Sequence, residues 1–173
     1  MSARHITATK AVLVACVAGA FAAVQGFHWD SSVFYQPDEP LRARGVDAKG
    51  LVAYCKQLEK VCTYFFASET TPEQFDIVVG LKPGRKVRVW FVSSRRSSQD
   101  KALVALRKKL ESVPAYPVHS GPVAFALRCT IAGAALPKDK EPYEPPMPQE
   151  WRSAIGEKTL LVPDGIFERI WRD

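Results

Sequence analysis

Apolar residues recur at helical spacing between residues 48 and 66. They fall at intervals of three and four and so line one face of a helix. The positions on this face are Leu51, Tyr54, Cys55, Leu58, Val61, Cys62 and Phe65. Asp47 precedes the run, and an aspartate side chain accepts hydrogen bonds from the free N–H groups of a first helical turn. The pattern predicts an amphipathic helix that begins after Asp47 and turns both cysteines inward.

Three later segments follow the two-residue period that is typical of strands. They are FDIVVGL at 75–81, KVRVWFV at 86–92 and PVAFALRCTIA at 122–132. The first two are joined by Lys82-Pro83-Gly84-Arg85, and a central proline followed by glycine is typical of a type II turn. In the second segment, Arg88 and Trp90 are expected on an exposed face.

A short apolar stripe of Leu103, Leu106 and Leu110 lies between the second and third strands. Asp100 follows Ser97 by three residues, a variant of the capping box that predicts a helix beginning after Ser97. The predicted order is therefore α-β-β-α-β, which is typical of an α+β domain with helices packed on a small sheet. We expect this domain to occupy residues 47–133.

An uncharged apolar run, AVLVACVAGAFAAV at 11–24, precedes the domain. It has three interpretations. A secretory signal would be cleaved after small residues near Gly26, and a bacterial lipoprotein would be modified at Cys16. A retained transmembrane helix needs about 17 to 20 apolar residues, a length that the run reaches with its neighbours.

Small residues favour the transmembrane helix, because such residues let helix backbones approach closely in a membrane. They form one stripe at every fourth position, namely Ala11, Ala15, Gly19 and Ala23. Phe27 and Trp29 follow where an interfacial aromatic belt would lie. We therefore expect a membrane anchor at residues 1–27 and a proline-containing linker at residues 28–46.

Charges on the two sides of the anchor predict its orientation. Arg4 and Lys10 precede the apolar run, whereas Asp30, Asp38 and Glu39 follow it. Since lysine and arginine favour the cytoplasmic or matrix side, we expect the N-terminus there. The bulk of the chain would then face the periplasm or the intermembrane space, at a bacterial or mitochondrial inner membrane.

Residues 134–173 differ in composition from the domain. Five prolines between positions 137 and 148 predict an extended segment, and two short helical patterns follow, PQEWRSAI and DGIFERIWRD. Trp151, Phe167 and Trp171 are large side chains of the kind that anchor protein interfaces. Two alternatives are open: these anchors bind a partner, or they fold back onto the sheet of the same chain.

A basic block lies between Lys82 and Lys109, where ten lysine and arginine residues accompany one acid. The whole chain carries a net charge of +6, so the remaining residues are net negative. The candidate patch within the block is Arg85, Lys86, Arg88, Arg95 and Arg96. It would bind anionic lipid or an acidic protein, and a solvent-exposed face without a ligand is the alternative. Nucleic acid is not an expected partner, because the domain would face away from the cytoplasm.

No pattern of catalytic residues or metal ligands is present in the sequence. His5, His28 and His119 are far apart, and the spacings of metal sites, phosphate-binding loops and nucleophile elbows do not occur. Cys55 and Cys62 would lie about 10 Å apart along one helix, too far for a disulfide. We therefore expect no enzyme activity, no metal and no cofactor.

The stretches GLKPGRKVRVWFVSSRRSSQDKALVALRKK and GPVAFALRCTIAG, with the predicted anchor, resemble the C-terminal domain of TonB/TolA-type envelope transducers. The resemblance covers residues 75–133 and consists of a hairpin, a serine-rich loop, a helix and a final strand. It implies a domain that pairs with a receptor segment by strand addition. The long proline-rich spacer of that family is missing here, and about 40 residues follow the last strand.

Together these features predict a non-catalytic, single-pass accessory subunit of a multi-subunit membrane protein complex. It would contribute assembly and stability to a mitochondrial respiratory or ATP-synthase complex, or to a bacterial envelope complex. Its partners would be other membrane-protein subunits, which the small-residue stripe and the tail would contact. The alternatives are a TonB-like transducer or periplasmic binding module, and an exported soluble protein with a cleaved signal peptide.

Overall fold

The computed structural model describes residues 26–93, 95–135, 144–155 and 163–171. In chain order the elements are β1 (Phe27–Phe34), α1 (Asp38–Ala43), α2 (Ala48–Phe65), β2 (Glu73–Lys82), β3 (Lys86–Ser93), α3 (Lys101–Glu111), β4 (Val123–Ile131), α4 (Gln149–Ile155) and α5 (Pro163–Ile170). The strands form one antiparallel sheet in the order β1-β4-β2-β3, so β4 lies between β1 and β2.

Two helices, α2 and α3, cover one face of the sheet with their predicted apolar stripes. As predicted, α2 begins after Asp47, whose side chain accepts a hydrogen bond from Gly50 N–H at 2.7 Å. In contrast, α3 begins later than predicted. Its cap is Asp100, which accepts from Ala102 N–H at 2.8 Å, while Ser97 belongs to the turn before it.

The other face of the sheet is covered by C-terminal residues of the same chain. Three strand residues near the centre of this face are small, which leaves room for large rings, and they are Gly80, Ala124 and Ala126. Trp151 of α4 and Phe167 of α5 are buried there against Trp90. The prediction that Trp90 is exposed is therefore wrong: the tail covers its side chain, which is 3% exposed.

Gly80 marks the closest approach of the sheet to the tail. A Cβ atom at this position would lie 2.6 Å from Phe167 Cζ and 2.9 Å from the Trp90 ring. We expect Gly80→Ala to lower the free energy of unfolding, measured in urea, by about 1–3 kcal/mol, because overpacking displaces side chains. Gly165→Ala is the control, since its Cβ would meet no atom within 4 Å and alanine should stabilise α5 by about 1 kcal/mol. Wild-type stability of Gly80→Ala would contradict this contact.

A β-bulge in β1 explains why the sequence pattern did not reveal this strand. Trp29 pairs with Cys129 and Ser31 pairs with Arg128, so Asp30 is an extra residue in β1. The bulge moves the inward-facing side chains from odd to even positions, and the strand therefore has no continuous two-residue period. The residues assigned to the start of a linker form an edge strand of the sheet instead.

The second half of the predicted linker contains α1. Pro37 precedes this helix and Pro40 lies in its first turn, where the missing N–H of proline has no helical partner to lose. The predicted order α-β-β-α-β is thus corrected to β-α-α-β-β-α-β-α-α. Prolines indicated an irregular segment in the sequence, whereas here they are compatible with a helix start.

The predicted fold class with a single transmembrane helix, and with it the single-pass membrane character, is also corrected. In the part of the chain that the structure describes, no helix is long and apolar enough to cross a membrane. The rings assigned to an interfacial belt belong to β1: Phe27 stacks on Phe66 with centroids 5.7 Å apart, and Trp29 packs against the same core. The apolar run at 11–24 lies outside the described residues, as does its stripe of Ala11, Ala15, Gly19 and Ala23.

Candidate interaction surface

The five cations of the predicted basic patch do not lie together. Arg85 and Lys86 are at the turn between β2 and β3, whereas Arg95 and Arg96 follow the other end of β3. With a rise of about 3.3 Å per residue, this strand separates the two pairs by roughly 25 Å. Arg88 lies between them, and its Nη1 donates to the last backbone carbonyl of α5 at 2.7 Å. It therefore helps to hold the tail.

Arg96 is paired with two carboxylates. Its Nε donates to Glu73 Oε2 at 2.7 Å, and its Nη2 donates to Glu69 Oε2 at 2.5 Å. Ser93 Oγ donates to the other oxygen of Glu73, whose side chain is 1% exposed. The hydrogen bond from Arg96, together with one from Thr71 N–H, lowers the pKa of Glu69 to about 2. This arginine is therefore engaged within the fold.

The three predicted tail anchors come together on the sheet of their own chain. The ring centroids of Trp151 and Phe167 are 5.4 Å apart, and that of Trp171 lies 5.6 Å from Phe167. Arg44, the C-cap residue of α1, donates to both carboxylate oxygens of Asp164 in α5, at 2.9 and 2.8 Å. Of the two alternatives for the tail, the structure has the one in which it folds back.

A second apolar surface, which was not among the predicted sites, lies between α2 and α3. It is an open groove of about 620 Å³, called the α2–α3 groove below, and it is lined by Gln57, Lys60, Val61, Tyr64, Lys109, Ser112, Val113 and Pro114. Tyr64 is 80% exposed, and in the described part of the chain Val52 is the only other exposed large hydrophobic residue. A contiguous apolar groove with polar residues around it is a feature of binding surfaces, and the Tyr64 ring is part of this one.

The helical period places Tyr64 at this surface. Cys62 lies on the core-facing stripe of α2, whereas Tyr64 lies in the same last turn but outside the stripe. This displacement from the stripe was the available signal in the sequence. The position of Tyr64 alone does not indicate a groove, because the second wall consists of Val113 and Pro114, which follow the end of α3.

Two lysines give the groove a positive charge. Lys60 and Lys109 belong to its lining, which contains no aspartate or glutamate among the described residues. Lys109 Nζ lies 5.9 Å from the centroid of the Tyr64 ring, within the range of a cation–π interaction. Among the described residues, no salt bridge joins either lysine to a carboxylate. The groove thus combines an apolar floor with two cations on its rim.

A smaller cavity of about 450 Å³ lies between the end of β3, the following loop and α4. It is lined by Phe91, Val92, Ser93, Arg96, Ser97, Ser98, Met147, Gln149, Glu150 and Arg152. Arg96 is held by the two glutamates described above, and Glu150 lies 3.8 Å from Arg107. Because opposite charges are already close to each other around this cavity, its charge indicates no particular ligand.

The described cysteines are poor nucleophiles. Cys55, Cys62 and Cys129 are free and buried. Burial raises the pKa of Cys55 to about 12 and raises the pKa values of the other two thiols as well. Such thiols stay protonated at neutral pH and pack as small hydrophobic groups. Within the described ranges, no group of three or more His, Cys, Asp or Glu residues could hold a metal ion.

No family model, curated protein or solved structure matches the chain. The resemblance to the TonB/TolA-type domain therefore stays a prediction. The strand addition that it implies would need a free sheet edge. Because β4 is an interior strand, such pairing would fall to the edge strands β1 and β3, and on β3 the Val89 N–H already donates to Glu111 Oε1 at 2.9 Å.

Proposed function

We propose that the chain is a non-catalytic accessory subunit that contributes assembly and stability to a multi-protein complex, and that it contacts its partner through the α2–α3 groove. The observation that carries this function is Tyr64, an aromatic side chain 80% exposed in an open apolar groove. Tyrosine is enriched among the residues that dominate binding energy, because its ring buries apolar area while its hydroxyl finds a polar partner.

The positions of the other large aromatic residues support the groove over the tail as the contact surface. Trp90, Trp151 and Phe167 are buried against one another. Binding a partner through these tail rings would uncover the apolar sheet face beneath them, which includes Val78 and Ala126. We therefore propose the assembly role that the sequence predicted, but with the α2–α3 groove and not the tail as its contact surface. A single-pass anchor is not part of this proposal.

Side chains that could take part in catalysis have structural roles here, which supports a non-catalytic function. The buried thiols are protonated, and Arg96 is bound to two glutamates. The Tyr116 hydroxyl donates to Asp47 Oδ2 at 2.7 Å and so fixes the start of α2. Each of these groups stabilises the fold.

Native mass measurements on the tagged full chain, recovered from its native host under gentle conditions, test this function. We expect wild type in an assembly larger than the monomer. We expect Tyr64→Ala to have the mass of the free chain, because loss of an interface anchor weakens partner binding about thirty-fold. Val52→Ala is the matched control, since Val52 is exposed on α2 but does not line the groove. The proposed role would be refuted if wild type had the mass of the free chain, or if Tyr64→Ala left the assembly unchanged.

A further inference from the structure

The charge of the α2–α3 groove narrows the kind of partner it fits, on the premise that the groove is the contact surface proposed above. We propose that it binds a segment of a partner protein in which an aromatic or aliphatic side chain is flanked by carboxylates. The apolar side chain lies on the groove floor, and the carboxylates reach Lys60 and Lys109.

The apolar residues that line the groove favour a partner segment with an apolar side chain. Val61 and Tyr64 line one wall, and Val113 and Pro114 line the other. Val61 and Val113 also pack against the domain core, so the fold fixes their positions before a partner arrives. Covering these side chains removes apolar surface from water, which is the main favourable term in protein association. A segment with charged side chains alone would not provide this term.

The rim of the groove selects the sign of the charge. In the described part of the chain, Lys60 and Lys109 are the only ionisable groups that line the groove besides the Tyr64 hydroxyl. Since neither lysine is joined by a salt bridge to a described carboxylate, an approaching anion does not have to displace one. Complementary charges accelerate the encounter, and a basic segment would be repelled by both ammonium groups.

The same two lysines argue against a second copy of the chain and against a lipid surface. In a symmetric dimer the groove would face its own copy, which would bring Lys60 and Lys109 close to the same lysines. Anionic bilayers are recognised by clusters of about four to eight basic residues. An acidic protein segment matches both the shape and the charge of the groove.

Selection of phage-displayed random linear peptides on the full chain tests this inference. Selected peptides are synthesised, and their affinities are measured by fluorescence anisotropy. We expect them to carry aspartate or glutamate on both sides of an aromatic or aliphatic residue. Tyr64→Ala should weaken their binding about thirty-fold, and Lys60→Glu combined with Lys109→Glu about ten-fold. Raising the salt from about 0.05 M to about 0.5 M should weaken binding to wild type several-fold.

Lys49→Glu combined with Lys101→Glu is the matched charge control. Both lysines are exposed, on α2 and α3, and neither lines the groove, so this variant should bind the peptides as wild type does. Peptides that depend on Tyr64 but lack acidic residues, or that bind both charge variants equally, would overturn the acidic partner and leave the proposed function standing. A selection without any Tyr64-dependent peptide would overturn both. Tyr64-dependent binding of phosphatidylglycerol vesicles in place of peptides would assign the groove to lipid.

Discussion

Replacing Trp151 with alanine is expected to lower the free energy of unfolding by about 3–5 kcal/mol, the range for deletion of a large buried aromatic side chain. Trp151 is fully buried between the sheet and α5. Its ring centroid lies 5.3 Å from that of Trp90, 5.1 Å from that of Tyr35 and 5.4 Å from that of Phe167. The alanine variant would thus remove the neighbour that these three rings share.

The effect should extend beyond the cavity, because Trp151 belongs to a tail that is held at several points. The Tyr35 hydroxyl donates to the Pro146 carbonyl before α4, and Lys82 Nζ donates to the Trp171 carbonyl after α5 at 2.6 Å. If α4 loses its ring on the sheet, the tail is held by these contacts and by the buried α5 side chains Ile166 and Phe167. We expect increased binding of a hydrophobic dye to the uncovered sheet face.

Trp151→Phe is the control for this prediction. The Trp151 Nε1 atom is buried and has no hydrogen-bond partner among the residues that the structure describes, an arrangement that costs about 1–3 kcal/mol. Phenylalanine keeps a ring and removes this donor, so we expect a stability within about 1 kcal/mol of wild type. Urea unfolding at two protein concentrations measures both variants. Wild-type stability of Trp151→Ala would show that the tail is not docked on its own sheet, and a concentration-dependent midpoint would assign it to the sheet of another copy.

The hydrophobic pattern of the sequence predicted those helices and strands in which its period is not interrupted. The stripe of α2 and the alternation in β4 are continuous, so each could be assigned from its own residues. β1 could not, because the bulge at Asp30 interrupts its alternation. The sequence also does not reveal that the tail covers the second face of the sheet. This coverage depends on the close packing of Phe167 on Gly80, and the two residues are far apart along the chain.

The candidate site was less predictable than the fold, for a similar reason. Clustering along the sequence suggested that Arg88 and Arg96 share one patch. The structure pairs Arg96 with Glu73, 23 residues away, and directs Arg88 to a carbonyl of α5. In the groove, Tyr64 could be recognised as lying outside the α2 stripe, but the wall supplied by Val113 depends on how α3 packs beside α2. Long-range contacts therefore decide which exposed groups are free to bind.

Replacing Arg96 with alanine is expected to lower the free energy of unfolding by about 3 kcal/mol or more, because it breaks a buried ion pair from one side. The Glu73 carboxylate would stay buried with Ser93 as its remaining hydrogen-bond donor. Arg96 also lies over the Phe66 ring, 5.3 Å from its centroid, so packing is lost with the charge. Arg95→Ala is the matched control, since Arg95 is exposed and its removal should change stability by no more than about 0.5 kcal/mol.

Acid titration separates the electrostatic part of this effect from the packing part. The hydrogen bond from Arg96, together with the smaller contribution of Thr71 N–H, lowers the pKa of Glu69 from its ordinary value of 4.5 to about 2 in the folded state. A lowered folded-state pKa stabilises the protein above the ordinary value, and this contribution is lost as the pH falls from about 4.5 toward 2. Urea midpoints across this window should fall more steeply for wild type than for Glu69→Gln or Arg96→Ala, which lack the pair. Parallel acid limbs in all three proteins would mean that Arg96 stabilises the fold by packing alone, and that its hydrogen bond to Glu69 contributes nothing measurable.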